Sequence, residues 1–137
     1  PFERGARAIS DHRHAMGRAD AHKRRDLFGG FGIGDRVGGG DGDPAEVRAD
    51  LQQVMTREAG VVRTGESLAA AAGAVESLAA RSPDPRSGSD AAEAANLVTV
   101  ASALVAAAAA WAESRGAHTR DDFPETAPRL RRRLVVC

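Results

Sequence analysis

From Leu97 to Ala112 the chain reads "LVTVASALVAAAAAWA", sixteen residues in which only Thr99 and Ser102 are polar. Alanine is the strongest helix former and offers a strand face almost nothing to pack, so this stretch is helix. Side chains this small also let neighbouring helices approach closely, and they bury little apolar area per residue. A membrane span needs roughly 20 strongly apolar residues. The run falls short of that, so the expectation is a buried helix of a soluble bundle, with no membrane as partner.

The helix around this run is expected from about Ala91 to Arg115. Asp90 would be its N-cap, with Glu93 three residues on. Gly116 would be the left-handed residue that closes it. Leu97, Ala101, Leu104, Ala108 and Trp111 alternate spacings of four and three, the seam of helices crossing at a small angle. Two shorter helices precede it. In the first, Asp43 caps, Pro44 takes the first helical position and Glu46 follows three residues after the cap. Val47, Leu51, Val54 and Met55 form its apolar face, and Ala59-Gly60 ends it. The second begins at Thr64-Gly65-Glu66 and carries Leu68, Ala71, Ala72, Val75, Leu78 and Ala79. "SPDPRSGSD" (82–90) is turn chemistry throughout. Short connections make antiparallel neighbours. The fold class is therefore all-α: an antiparallel three-helix bundle within residues 44–126, preceded by a flexible glycine-rich segment, 1–43, and followed by an extended basic tail, 127–137.

The first 43 residues show no sustained period. "GGFGIGDRVGGGDGD" (29–43) holds eight glycines, a density that opposes regular structure without outside support. It is not a nucleotide loop. Counting G-x-G-x-x-G from Gly32 lands on Val37, and counting from Gly30 lands on Asp35. His12, His14 and His22 lack the companions of a metal site, so no metal is expected. The formal charge is zero, with basic ends: seven Lys/Arg against four Asp/Glu over residues 1–30, and four Arg with no acid over 126–137. "HKRR" (22–25) and "RLRRR" (129–133) have no interleaved aromatics, so solvated tails are favoured over a nucleic-acid partner. The one cysteine, Cys137, allows no intrachain disulfide, and no signal-peptide pattern opens the chain. A cytoplasmic location is expected. A start at Pro1 and only five Phe and Trp residues fit a fragment of something larger.

The stretch "AWAESRGAHTRDDFPET" (110–126) breaks with the plain helix before it. No Ser/His/Asp set is credible, and an isolated His118 is more often a structural hydrogen-bonding residue than a base. Asp121, Asp122 and Glu125 near Arg115 and Arg120 suit an ion-pair network. A polar segment just past a helix end caps free carbonyls or bonds to a neighbouring surface, so docking is favoured over catalysis.

Three segments in order carry a resemblance. They are "EVRADLQQVMTREAGVVRTGESL" (46–68), "AANLVTVASALVAAAAAWAESRGAH" (94–118) and "TRDDFPET" (119–126). Together they resemble the C-terminal helical domain of the succinate dehydrogenase/fumarate reductase flavoprotein superfamily, and within it the L-aspartate oxidases. That resemblance implies FAD in the complete enzyme, oxidation of L-aspartate to iminoaspartate, and a place in NAD biosynthesis. It implies no cofactor for this chain alone, which lacks the flavin-binding and substrate-capping domains. The family's substrate-contacting Arg and flavin-touching Ser-Leu would fall on Ala21 and on Asp26-Leu27. Only Leu27 agrees, and "HAMGR" (14–18) lies three residues too far upstream, so no catalytic or cofactor-binding residue is assigned. In such proteins the segment after the third helix packs back on the flavin-binding domain. The implied domain-docking motif is Arg115, Gly116, His118, Arg120, Asp122, Phe123 and Pro124, and the implied partner is a flavin-binding domain of the same or a split chain. The alternative is a free-standing helical interaction module that has lost the chemistry.

Overall fold

The structure, a computed structural model, describes residues 38–133. Three helices dominate: α1 (Pro44–Glu58), α2 (Gly65–Arg81) and α3 (Ser89–Ala110), each packed on the other two. This is the expected helical bundle, with one addition. Strand β1 (Val62–Arg63) pairs in parallel with β2 (Thr119–Arg120), Val62 opposite Thr119 and Arg63 opposite Arg120. Two residues are too few to show a period of two, so no sequence pattern announces this ladder.

The first two helices start where their caps place them. The Asp43 carboxylate accepts from the Ala45 N–H at 3.0 Å, and Pro44 opens α1. At α2 the Thr64 hydroxyl accepts from Ser67 N while Ser67 Oγ accepts from Thr64 N, both at 3.0 Å. That reciprocal box satisfies two amide groups that the helix leaves free.

α3 departs from expectation in three ways. Gly88, with no side-chain cap, occupies the N-cap position, and Asp90 lies inside the first turn. Glu93 does not reach back to the cap; it pairs with Arg48 on α1 at 2.5 Å. The helix also stops at Ala110, five residues before Arg115, so Gly116 closes no helix. Finally, the buried face follows the expected seam only in part. Ala101 points inward as expected, together with Ala94, Val98 and Val105, while Leu97 and Leu104 point out. The cause is volume. Val47 and Leu51 of α1 and Val75 and Leu78 of α2 already fill the core, so the α3 side facing them has to be small to reach interior packing density.

The chain enters the bundle along the end of α2. Gly40 N donates to Ser82 O at 2.8 Å and Gly42 N to Arg81 O at 3.0 Å. A Cβ on Gly40 would sit 2.6 Å from the Arg81 carbonyl carbon, so this glycine serves close backbone approach. Residues 29–37 of the glycine-rich segment lie outside the described residues, as do Ala21, Asp26, Leu27, the "HAMGR" stretch, His12, His14, His22 and Cys137. At the other end a short 3-10 turn, Pro128–Leu130, buries Leu130, whose carbonyl accepts from Trp111 Nε1 at 3.3 Å. Among the described residues α3 alone is long and apolar enough to cross a membrane by length and composition, and 39% of that stretch is buried in the bundle.

Candidate functional site

An up-down-up bundle gathers three helix ends at one pole: the C-terminus of α1, the N-terminus of α2 and the C-terminus of α3. Each has backbone groups without a partner inside the helix. Residues 111–127 cross this pole, and side chains from that segment and from β1 satisfy those groups.

Arg120 is at the centre, with only 3% of its side chain exposed. Its Nε and Nη2 donate to the two Asp122 carboxylate oxygens, both at 2.8 Å, a fork-on-fork pair. Its Nη1 donates to the carbonyls of Ala108 (3.2 Å) and Trp111 (3.4 Å), the last of α3. A guanidinium thus takes the place of a helix C-cap and complements the negative end of the dipole. Asp122 turns to the opposite pole of a helix, accepting from Gly65 N at the start of α2 at 2.8 Å. Arg120 above all, with the Gly65 amide assisting against partial burial, holds the Asp122 carboxyl at about 2, below its ordinary 3.8.

Arg63 does for α1 what Arg120 does for α3. Its Nε donates to Ala59 O (3.2 Å) and Gly60 O (2.7 Å), just past the helix, and its Nη1 lies 2.9 Å from His118 Nδ1. A guanidinium only donates, so Nδ1 accepts and the ring hydrogen is on Nε2, which donates to Trp111 O at 3.0 Å. His118 therefore bridges the ends of α1 and α3 through hydrogen bonds at both ring nitrogens.

Glu113 has no exposed side-chain surface, yet it is ionised. Arg115 grips both its oxygens, Nε at 2.8 Å and Nη2 at 3.0 Å, and Ala127 N donates at 2.5 Å. Arg115 is the main reason its pKa lies below the usual carboxylate range, against burial, and the Arg115 guanidinium is raised in return. Gly116 has φ +59 and sits in the tight turn in which Arg115 and His118 exchange backbone bonds at 2.8 and 3.0 Å. The positive φ that sequence assigned to a helix closure belongs to this turn. Ser114 Oγ accepts from Arg120 N at 2.9 Å and lies within 3.1 Å of the carbonyls of Arg120 and Phe123, tying the turn that follows β2.

All seven residues of the sequence motif share this pole. The polar ones are paired within the bundle. Phe123 is 42% exposed with the Arg120 guanidinium carbon 5.1 Å from its ring centre, and Pro124 is exposed beside it. Val61, just before β1, and Val62, its first residue, are also outward. Sequence reasoning left three contributors without a role: Arg63, Glu113 and Ser114. Arg63 stands immediately before a helix cap and Glu113 two residues before Arg115, but neither spacing reveals a partner 55 or 14 residues away. Among the described residues no group of three or more His, Cys, Asp or Glu side chains is placed to hold a metal ion. The arrangement joins helix ends and sets a rigid, partly apolar pole; it presents no nucleophile paired with a base.

Comparison with known proteins gives a consistent result. The sequence model of the family described as "Fumarate reductase flavoprotein C-term" matches residues 48–133. L-aspartate oxidase of Streptomyces coelicolor is 41% identical over 101 residues, 68% of this chain and 17% of that protein. One subunit of the fumarate reductase (CoM/CoB) of Methanothermobacter marburgensis is 34% identical over 113 residues, 76% of this chain and 21% of that protein. L-aspartate oxidase of Rhodospirillum rubrum is 38% identical over 78 residues, 57% of this chain and 26% of that sequence. The chain thus spans about a quarter or less of the length of these relatives. No solved structure matches.

Proposed function

This chain belongs to the fumarate reductase flavoprotein C-terminal family, and from that premise we propose that it is the helical domain of an L-aspartate oxidase-like FAD enzyme. In that enzyme L-aspartate is oxidised to iminoaspartate, which feeds NAD biosynthesis in the cytoplasm. The observation that carries the proposal is the match across residues 48–133, shared with two L-aspartate oxidases at 38–41% identity. No residue of this chain is given a catalytic, flavin or metal role. Its part is to dock on the flavin-binding domain, of the same polypeptide or a split one. Arg115, His118, Arg120 and Asp122 fix the path of residues 111–127 through the bonds described above. Gly116 makes the turn, and Phe123 and Pro124 meet the partner. The fumarate reductase relative supports a second reading, a parent enzyme that reduces fumarate.

The test replaces the matching segment of the Streptomyces coelicolor L-aspartate oxidase with this chain. The chimera is expected to retain FAD and to form iminoaspartate from L-aspartate, while the chain alone stays colourless when FAD is added. Arg115→Ala in the chimera should lower flavin retention. A folded chimera without flavin, or flavin bound by the chain alone, defeats the proposal. Fumarate reduction without L-aspartate oxidation selects the second reading.

A further inference from the structure

The outer faces of the three helices differ in kind. Those of α1 and α2 carry Gln52, Gln53, Arg57, Glu66, Glu76 and Arg81, and no exposed apolar residue larger than alanine. The outer face of α3 carries Leu97, Val100 and Leu104, exposed by 39, 57 and 57%. They recur at i, i+3 and i+7 and so line one side of the helix. Both leucines of α3 are on this line, and no charged residue occurs between Leu97 and Ala110. A helix at the surface of a free bundle places its bulkiest aliphatics inward; one that is apolar all round is built for the interior of a larger body. We propose that the Leu97–Val100–Leu104 face of α3 is the seat of an apolar surface of the flavin-binding domain, tethered to it in the same polypeptide.

The size of the face selects the occupant. Three partly exposed aliphatic side chains offer on the order of 300 Å² of apolar surface, whereas a stable complex of free molecules takes about 800 Å² from each partner. A second copy of this chain is therefore a poor occupant. A tethered domain, held at millimolar effective concentration, needs far less contact. The absence of charge along the line requires a partner that is apolar in turn. The inference rests on the docking proposed above and adds a second contact to the Phe123–Pro124 pole.

The experiment uses the same chimera with its tether intact. Hydroxyl-radical footprinting should label Leu97, Val100 and Leu104 at least tenfold less in the chimera than in the isolated chain. The double variant Val100→Glu/Leu104→Glu should make the junction between the two domains at least tenfold faster to cut with trypsin, while the melting midpoint of the isolated variant chain stays at the unsubstituted value. Labelling of the α3 residues and of Phe123 that is equal in the chimera and the isolated chain, with the chain folded, defeats the docking itself and this inference with it. Labelling that falls at Phe123 but not at the α3 residues leaves the docking intact and overturns the α3 seat. The seat is equally overturned if the isolated chain dimerises, or binds phosphatidylglycerol vesicles, in a way the double variant abolishes.

Discussion

Replacing Arg120 with methionine keeps the length and apolar stem of the side chain and deletes the guanidinium. The structure indicates what is lost: two charge-assisted bonds to Asp122 and the donors to the Ala108 and Trp111 carbonyls. Removing one partner of a buried ion pair costs about 3–5 kcal/mol. Asp122 is 34% exposed, so water reaches the orphaned carboxylate, and the lower end of that range, about 3 kcal/mol, applies. Losing a cation from a helix C-terminus adds about 0.5–1 kcal/mol. The expected total, about 4 kcal/mol, is a large share of the ~5–15 kcal/mol of a typical domain. Urea unfolding of the 137-residue chain, followed by far-ultraviolet circular dichroism, should show the midpoint fall with little change in slope. Arg120→Met/Asp122→Asn should recover part of the loss, with a coupling of about 1–3 kcal/mol, because the double variant strands no charge. The Arg48–Glu93 pair, 39% and 54% exposed, is the control; Arg48→Met should cost less than about 1 kcal/mol. An Arg120→Met loss no larger than the control refutes the idea that this guanidinium holds the pole together.

Acid should expose the Asp122 contribution. Its carboxyl is depressed in the fold, to about 2 from 3.8, so its stabilisation is complete above about pH 4 and disappears as pH falls towards 2. The stability gap between the unsubstituted chain and Asp122→Asn, measured by urea titration at several pH values, should therefore close across that window; a gap independent of pH contradicts the assignment. Gly40→Ala drives a Cβ against the Arg81 carbonyl and should cost about 2 kcal/mol or more, whereas Gly116→Ala meets open space and strains only its φ of +59, costing about 1 kcal/mol. Thermal melts of both variants check the order. In the isolated chain, Val105→Ala at 1% exposure should cost about 1–2 kcal/mol and Leu104→Ala at 57% less than about 0.5 kcal/mol; the reverse order restores the Leu97/Leu104 seam to the core.

The parts of the fold that are legible in the sequence are those fixed locally. The starts of α1 and α2 can be read because Asp43 and Thr64 bond to amides within three residues. α3 differs from its expected ends and phase for a physical reason. In a run of alanine each face is equally apolar, so the pattern carries no direction. Its two leucines, Leu97 and Leu104, point away from the core, and an expectation that assumes an independently stable bundle draws them inward. Its end is not legible because the terminating signal is not a glycine but an arginine at position 120, ten residues beyond Ala110. Asp122 is similar: its place in the motif is plain, but its hydrogen bond to Gly65 joins positions 57 apart, and no spacing rule reaches that far.

The long-range bonds of the pole and the outward leucines of α3 point to a division of labour. A bundle whose α3 supplies mostly alanine and valine to the core gains little from apolar burial, at ~25 cal/mol per Å². Charged side chains spanning distant positions compensate. Arg63, Arg120 and Asp122 tie the ends of α1, α3 and α2 to one another, so no helix frays at this pole without breaking a bond that also holds its neighbours. That arrangement keeps the module together without its leucines, and frees Leu97 and Leu104 to face outward. The consequence is a difference in where each class of substitution acts. Changes at Arg63, Arg120 or Asp122 should be felt in the stability of the chain by itself, whereas changes at Leu97, Val100 or Leu104 should be silent there and emerge only when the flavin-binding domain is attached. Measuring both sets of variants in the chain and in the chimera separates the two classes. A leucine variant that destabilises the isolated chain as strongly as Arg120→Met removes the distinction, and with it the reason for reading α3 as the interior helix of a larger body.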